Sequence, residues 1–171
     1  FNLITGIFSR KPFQVIYFYQ KHAKRKINTL INQYQPDHIY CQLVRTTDYV
    51  KNLHHIPKTL DYMDALSKGM ERRIENAPFH LKFILTTETK RLIAYENLIF
   101  EHFDNKIIIS KQDQNFIYHP NRSEIEIIPN GVDTEYFKPI QRDKTYDLVF
   151  TGNMNYPPNV YSVEFLVKQI L

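Results

Sequence analysis

The chain predicts an α/β fold in which helices cover a parallel sheet, and three features carry that expectation. Short apolar or β-branched stretches alternate with longer stretches of helical periodicity. Each intervening stretch is long enough to cross back over a sheet face. His38-Ile39-Tyr40-Cys41-Gln42-Leu43-Val44 is mostly apolar on both faces, as a central parallel strand requires.

Taken in order, Phe1 to Lys11 give no clear element. Pro12 is a good first helical residue, and the pattern predicts one helix from there to about Tyr34. Ala23, Ile27, Leu30, Ile31 and Tyr34 line one face, with lysines opposite. Gln35-Pro36-Asp37 ends it and launches the strand His38–Val44. Arg45-Thr46-Thr47-Asp48 follows at its carboxyl end, then a short helix through Tyr49, Val50 and Leu53. His54-His55-Ile56-Pro57 closes this unit.

Lys58 to Met63 reads as a second strand, with Asp61 and Asp64 at its carboxyl end. A helix through Ala65, Leu66, Met70 and Ile74 is broken at Ala77-Pro78. The longest helix runs from about Phe79 to Phe103. Leu81, Leu85, Leu92, Tyr95, Ile99 and Phe103 recur at helical steps, interrupted by Glu88. A coiled-coil seam also fits this spacing, but one segment of this length favours a helix packed on a sheet. Lys106 to Ile109 is the next strand and Lys111 to His119 a short helix.

Ile125, Ile127 and Ile128 suit a buried parallel strand, stopped by Pro129. Asn130-Gly131 predicts a tight turn with positive φ. Val132, Tyr136 and Phe137 are expected to anchor the following segment on apolar surface, before Pro139 fixes a second bend. A hairpin is the alternative, but Asp133-Thr134-Glu135 is a poor start for a pairing strand, which favours a rigid linker. The polar run Ile140 to Thr145 continues as linker. Asp147 to Gly152 then reads as a fresh strand, and Asn159 as the cap of a helix using Val160, Val163, Val167 and Ile170.

Composition bounds the function. At 171 residues the chain can bury a core and make one domain, with a second only if small or incomplete. Beginning at Phe1 and ending at Leu171 within an apolar helical pattern, it is expected to be an excised fragment. The hydrophobic share of 43% and charged share of 23% are those of a globular chain. Only 4 Gly occur, which argues against several glycine-rich phosphate loops. Cys41 stands alone, so no intrachain disulfide forms, and its strand context predicts a buried thiol in a reducing compartment. No apolar run approaches the ~18 residues of a membrane span, and no signal peptide is visible. The net charge of +4 is concentrated in Lys21, Lys24, Arg25 and Lys26, and in Arg72 and Arg73. Such runs read either as solvated helix faces or as contacts for an anionic membrane surface or acidic ligand. No nucleic-acid-binding motif appears, so nucleic acid is not an expected partner.

No His-Glu-x-x-His occurs among the 7 His, and adjacent His54 and His55 point in different directions, so no metal is expected. Asp61-x-x-Asp64 offers too few oxygens for a divalent ion. Its position carries more. Ligands of open α/β sheets sit beyond the carboxyl ends of the strands, so Gln42, Arg45, Asp61, Asp64, Ser110 and Asp113 can converge on one crevice. There Arg45 would hold an anionic or hydroxyl-rich group, and an aspartate would orient or deprotonate a sugar hydroxyl. Helix capping by Asp64 and Ser110 and a surface ion pair for Arg45 are the competing readings. No Ser-His-Asp or Cys-His nucleophile is recognisable.

Ile127-Ile128-Pro129-Asn130-Gly131-Val132-Asp133, with Phe137 and Pro139, resembles the interdomain segment of bacterial GT-B-fold glycosyltransferases, the large retaining sugar-nucleotide-dependent family. Leu148 to Asn159, Leu60 to Ser67, Met70 to Arg73, and Ile109-Ser110 with Asp113 resemble its polysaccharide-assembly sugar transferases. The resemblance implies a Rossmann-like acceptor domain over 1–139, a linker over 140–146, and over 147–171 the first βα unit of a nucleotide-sugar-binding domain. It places Asp61 as a catalytic candidate, where relatives often carry a His near the reacting sugar, and Gln42 and Arg45 at an acceptor-facing strand end. Asn130 and Gly131 become a hinge, and Gly152-Asn153 a donor loop. Asn153 and Pro157-Pro158 stand where many relatives carry Arg and a downstream Lys.

The implied partners are a nucleotide sugar and a carbohydrate or lipid-linked acceptor, without cofactor; the basic runs at Lys21–Lys26 and Arg72-Arg73 add an anionic membrane surface, for a cytoplasmic protein that can work at the inner face of the cytoplasmic membrane. The family's acidic donor-holding pair would fall past Leu171, so the fragment alone is expected to be inactive. A nucleotide-sugar epimerase of the same fold and a noncatalytic carbohydrate- or membrane-binding module are the alternatives.

Overall fold

Four short strands pair side by side in chain order, all parallel, in a computed structural model that describes residue 6 and residues 9–75, 77–140 and 143–171. Ile39–Gln42 form β1, Lys58–Asp61 β2, Asn105–Ile108 β3 and Glu126–Ile127 β4. Tyr40 lies opposite Thr59, Asp61 opposite Ile107, and Ile108 opposite Ile127. Helices α1 (Phe13–Phe18), α2 (Lys21–Tyr34), α3 (Leu66–Glu75), α4 (Phe79–Phe100) and α5 (Lys111–Phe116) make the flanking layers. The fold is therefore α/β and Rossmann-like. Two compact units divide after Gly131, the second being Val132–Leu171.

The core of the first unit is built from Val15, Val44, Leu60, Tyr62, Tyr95, Ile99, Phe100, Ile108, Ile117 and Ile125. Each fully buried aliphatic or aromatic side chain is worth roughly 1.5–3 kcal/mol of transfer free energy. Cys41 is buried beside Thr46, and burial pushes its thiol pKa up.

Several expected elements come out differently. The helix expected over Pro12–Tyr34 is two, because Tyr19 and Gln20 are extended. Tyr49 holds the break open: its hydroxyl donates to the Phe18 carbonyl at 2.7 Å and accepts the Gln20 N–H at 2.8 Å. Such a tertiary bond leaves no trace in local periodicity. β1 is an edge strand rather than a central one, with Cys41 inward and Tyr40 and Gln42 open to solvent. It ends at Gln42 because Leu43 takes φ 70°, and the chain turns into the 3-10 helix Val44–Tyr49.

Glu88, read as an interruption of the α4 apolar face, is buried and functions in packing. Its two carboxylate oxygens accept the N–H groups of Phe13 and Gln14, the first turn of α1, at 2.7 and 3.0 Å. These donors have no intrahelical partner, so a buried carboxylate stabilises both them and itself.

The stretch Ile125–Ile128 is not a buried strand. Ile125 is buried, but β4 has two residues, and Ile127 and Ile128 are exposed at the sheet edge. Asn130 and Gly131 make no positive-φ turn. Val132, Tyr136 and Phe137 anchor on no apolar surface; they are exposed, and the last two rings pack edge-to-face on each other. Asp133 Oδ1 accepts the N–H groups of Glu135 and Tyr136, closing a side-chain turn. No strand follows β4 among the described residues, so the alternative hairpin does not form there.

The strand expected over Asp147–Gly152 does not form, since a strand needs a ladder partner and this stretch has none among the described residues. In α6 (Pro157–Phe165), Tyr156 and not Asn159 is the N-cap, with proline filling the first helical positions. Asn159 instead donates from Nδ2 to the Asn153 carbonyl at 3.0 Å. A Cβ on Gly152 would lie 2.8 Å from that same Nδ2, so a larger residue there would displace the Asn159 side chain.

Candidate functional site

The carboxyl ends of β1, β2 and β3 lie along one sheet edge, because parallel neighbours in register finish together. Gln42 is the last residue of β1 and Asp61 the last of β2, and the two are register partners. Ser110 follows β3 as the N-cap of α5.

Two strained turns shape this edge. Leu43 (φ 70°) and Met63 (φ 62°) both occupy a backbone region that non-glycine residues rarely adopt, at a cost of order 1–3 kcal/mol each. Asp64 N–H donates to the Tyr62 carbonyl at 2.8 Å across Met63, a tight three-residue turn. The strain is fixed by side chains of the site itself. Asp61 Oδ1 accepts the Met63 N–H at 2.9 Å, and Gln42 Nε2 reaches the Met63 sulfur at 3.2 Å.

Asp61 is buried, and its other oxygen, Oδ2, accepts the Tyr40 hydroxyl at 2.5 Å. That bond, with some desolvation, pushes the Tyr40 pKa up to about 12, so the phenol stays protonated as a donor. Tyr40 is 57% exposed and carries Asp61's chemistry outward. Sequence reading missed Tyr40; its only signal is its place two residues before Gln42 on the same strand face.

Arg45, Asp64, Ser110 and Asp113 form the second half of the site. Partial burial raises the Asp64 carboxyl above its ordinary value, Asp113 adds to this, and Arg45 opposes it. Ser110 hydrogen-bonds the Asp113 carboxylate through its hydroxyl, and its Oγ accepts the Asp113 N–H at 3.1 Å. The capping reading of Ser110 is thus correct, and capping fixes the Asp113 side chain. Arg45 makes no ion pair among the described residues; its guanidinium lies 5.3 Å from the centre of the Phe18 ring, and its buried Nε has no partner. The competing reading of Arg45 as a surface ion pair finds no partner among the described residues.

Beneath the edge, Glu96 of α4 is buried, and its Oε1 accepts the Ser67 N–H at 3.0 Å. Its Oε2, the Ser67 hydroxyl and the Tyr62 hydroxyl are buried without partners. Desolvation raises the Glu96 pKa to about 7, against the bond from the Ser67 N–H that lowers it. No sequence signal marks Glu96, which stands beside apolar Tyr95 on the inward side of the helix.

The remaining candidates lie elsewhere. Asn130 and Gly131 end the first unit, and Gly152 and Asn153 belong to the second, where Asn153 Oδ1 accepts the Asn155 N–H at 2.9 Å. His54 and His55 are exposed, and no group of three or more metal-ligating side chains forms among the described residues. Comparison with known proteins returns no matching family model, no matching curated protein and no matching solved structure.

Proposed function

We propose that this chain carries the acceptor side of a glycosyltransferase that moves a sugar from a nucleotide-sugar donor to a carbohydrate or lipid-linked acceptor. The observation that supports it is the gathering of Gln42, Arg45, Asp61, Asp64 and Asp113 at one carboxyl edge, where open α/β sheets take their ligands. Charge favours a neutral polyol over a diphosphate there. Asp61, Asp64 and Asp113 supply three carboxylates against the one guanidinium of Arg45, so an anion is repelled while hydroxyl donors are accepted. Tyr40 stays protonated with its one proton on Asp61, which leaves its hydroxyl oxygen to accept from a ligand.

In this reading Asp61 orients the acceptor hydroxyl and draws its proton as the new bond forms, while Gln42 and Arg45 position the ring. Full-length protein incubated with a panel of nucleotide sugars is expected to release nucleoside diphosphate only when a lipid-linked or oligosaccharide acceptor is present. Asp61→Asn is expected to cut that turnover by about 10²–10⁴-fold with folding preserved. Unchanged turnover in the variant removes Asp61 from the site, and no release with any donor–acceptor pair overturns the reading.

A further inference from the structure

The turn that places Asp64 is held from both ends by carboxylates. In front, Asp61 Oδ1 accepts the Met63 N–H at 2.9 Å. Behind, Glu96 Oε1 accepts the Ser67 N–H at 3.0 Å, reaching from the carboxyl half of α4 to the second residue of α3. A first-turn N–H has no partner inside its own helix, so this bond anchors that helix end. Between the two anchors lie Met63 at φ 62°, the Asp64 N–H bonded to the Tyr62 carbonyl at 2.8 Å, and buried Ala65. Only Ala65 and Leu66 separate Asp64 from Ser67, so the bond to Glu96 helps to set where Asp64 stands.

The surroundings of this second anchor do not suit a charge. Glu96 is 1% exposed and takes part in no ion pair among the described residues. Its Oε2 has no partner, and the hydroxyls of Tyr62, on the loop after β2, and of Ser67, on α3, are buried without partners too. The titratable groups set against it from the loop are the Tyr62 phenol and the Asp64 carboxyl. Glu101, just past α4, acts on Tyr62, while Asp113 and Arg45 act on Asp64. On α3, Lys68 is turned to Glu71 at 2.6 Å.

A buried carboxyl with an acidic neighbour and no paired cation is favoured as the neutral acid. Desolvation accordingly raises its pKa to about 7. As the acid, Glu96 still accepts the Ser67 N–H and gains a hydroxyl that can donate among the unpartnered oxygens. Ionised, it is a buried charge repelled by Asp64, and opening of the turn toward water relieves it.

We propose that Glu96 is a positioning residue of the candidate site: as the neutral acid it clamps the Met63–Asp64 turn, and on losing its proton it lets that turn open. The inference rests on the site behind the transferase reading and adds regulation by pH to it. The clamp itself is measured without turnover, so absence of sugar transfer bears on that reading alone. A carboxyl that keeps its proton to about pH 7 when clamped, and releases it near 4.5 when open, gives a clamp complete below 4.5 and lost as pH rises through about 7.

The test is hydrogen exchange at the Met63, Asp64 and Ser67 N–H groups, corrected for the intrinsic pH dependence of amide exchange. Between pH 6 and pH 8.5 their protection is expected to fall about 10-fold in the native protein, more than in β2 and β3. Glu96→Gln keeps a carbonyl for the Ser67 N–H but cannot ionise, and is expected to hold protection level across that range. Glu96→Ala, checked by circular dichroism, is expected to lose it at both pH values. Protection that does not change with pH in the native protein overturns the proposal, and so does an equal fall in Glu96→Gln. A fall of the same size throughout β2 and β3 makes Glu96 a group of global stability and also overturns it. In the transfer assay, the native kcat/KM is expected to fall across the same range, and an equal fall in Glu96→Gln removes Glu96 from the positioning of Asp64.

Discussion

A single carboxylate shows how far a residue's chemistry departs from its type. Glu96 sits under the strained loop with one oxygen bonded to the Ser67 N–H and the other unpartnered, and burial holds its pKa near 7. Asp64 adds to the rise, and the bond from the Ser67 N–H opposes it. The folded state therefore keeps a proton that the unfolded chain releases near its ordinary value of 4.5. Folding stability is highest below that value and falls as pH rises toward 7, by up to about 3 kcal/mol from this group. Urea unfolding at pH 5 and pH 8 is expected to show that fall in the native protein and a smaller one in Glu96→Gln. Equal slopes would mean that Glu96 ionises freely. Asp48 is the opposite case: burial alone would raise its carboxyl, but bonds from Lys11, Lys51 and Tyr95 outweigh that and hold it low.

At the scale of elements, carboxylates join helices that apolar packing alone would leave loosely related. Glu88 satisfies the first two N–H groups of α1 from the middle of α4. Glu88→Ala strands those donors and is expected to cost about 1–3 kcal/mol in urea denaturation. Hydrogen exchange at Phe13 and Gln14 should rise more than at the α4 core; uniform change across the first unit would show that Glu88 merely fills space. The same logic sets α2 apart from α1, since Tyr49 bonds both sides of the break. Strand pairing works likewise: β1, β2 and β3 form because each has a neighbour, and the apolar stretch Leu148–Phe150 stays exposed without one.

For the whole molecule, the division after Gly131 separates a unit with a continuous core from one whose large apolar residues, among them Tyr146, Val149, Tyr161 and Phe165, are exposed. The stretch from Val132 to Ile140 is exposed and belongs to no strand or helix; a single turn, in which Asp133 accepts the N–H groups of Glu135, Tyr136 and Phe137, orders its middle. Limited proteolysis with a nonspecific protease is expected to cut first there, leaving a resistant product that ends near Gly131 by mass spectrometry. Early cuts within α3 or α4 would contradict the division.

The sequence by itself determined the class of fold, the order of its strands along the chain, and the clustering of Gln42, Asp61 and Ser110 at strand ends. Those follow from apolar periodicity, proline and cap residues, which act over a few neighbours. It missed the break at Tyr19-Gln20, the buried roles of Glu88 and Glu96, and the edge positions of β1 and β4. Only the tertiary structure decided these, because each depends on a partner distant in sequence: Tyr49 for the break, Phe13 and Gln14 for Glu88, Ser67 for Glu96, and the presence or absence of a neighbouring strand for each edge. Local pattern specifies which face a residue shows, and long-range hydrogen bonding specifies what that face meets.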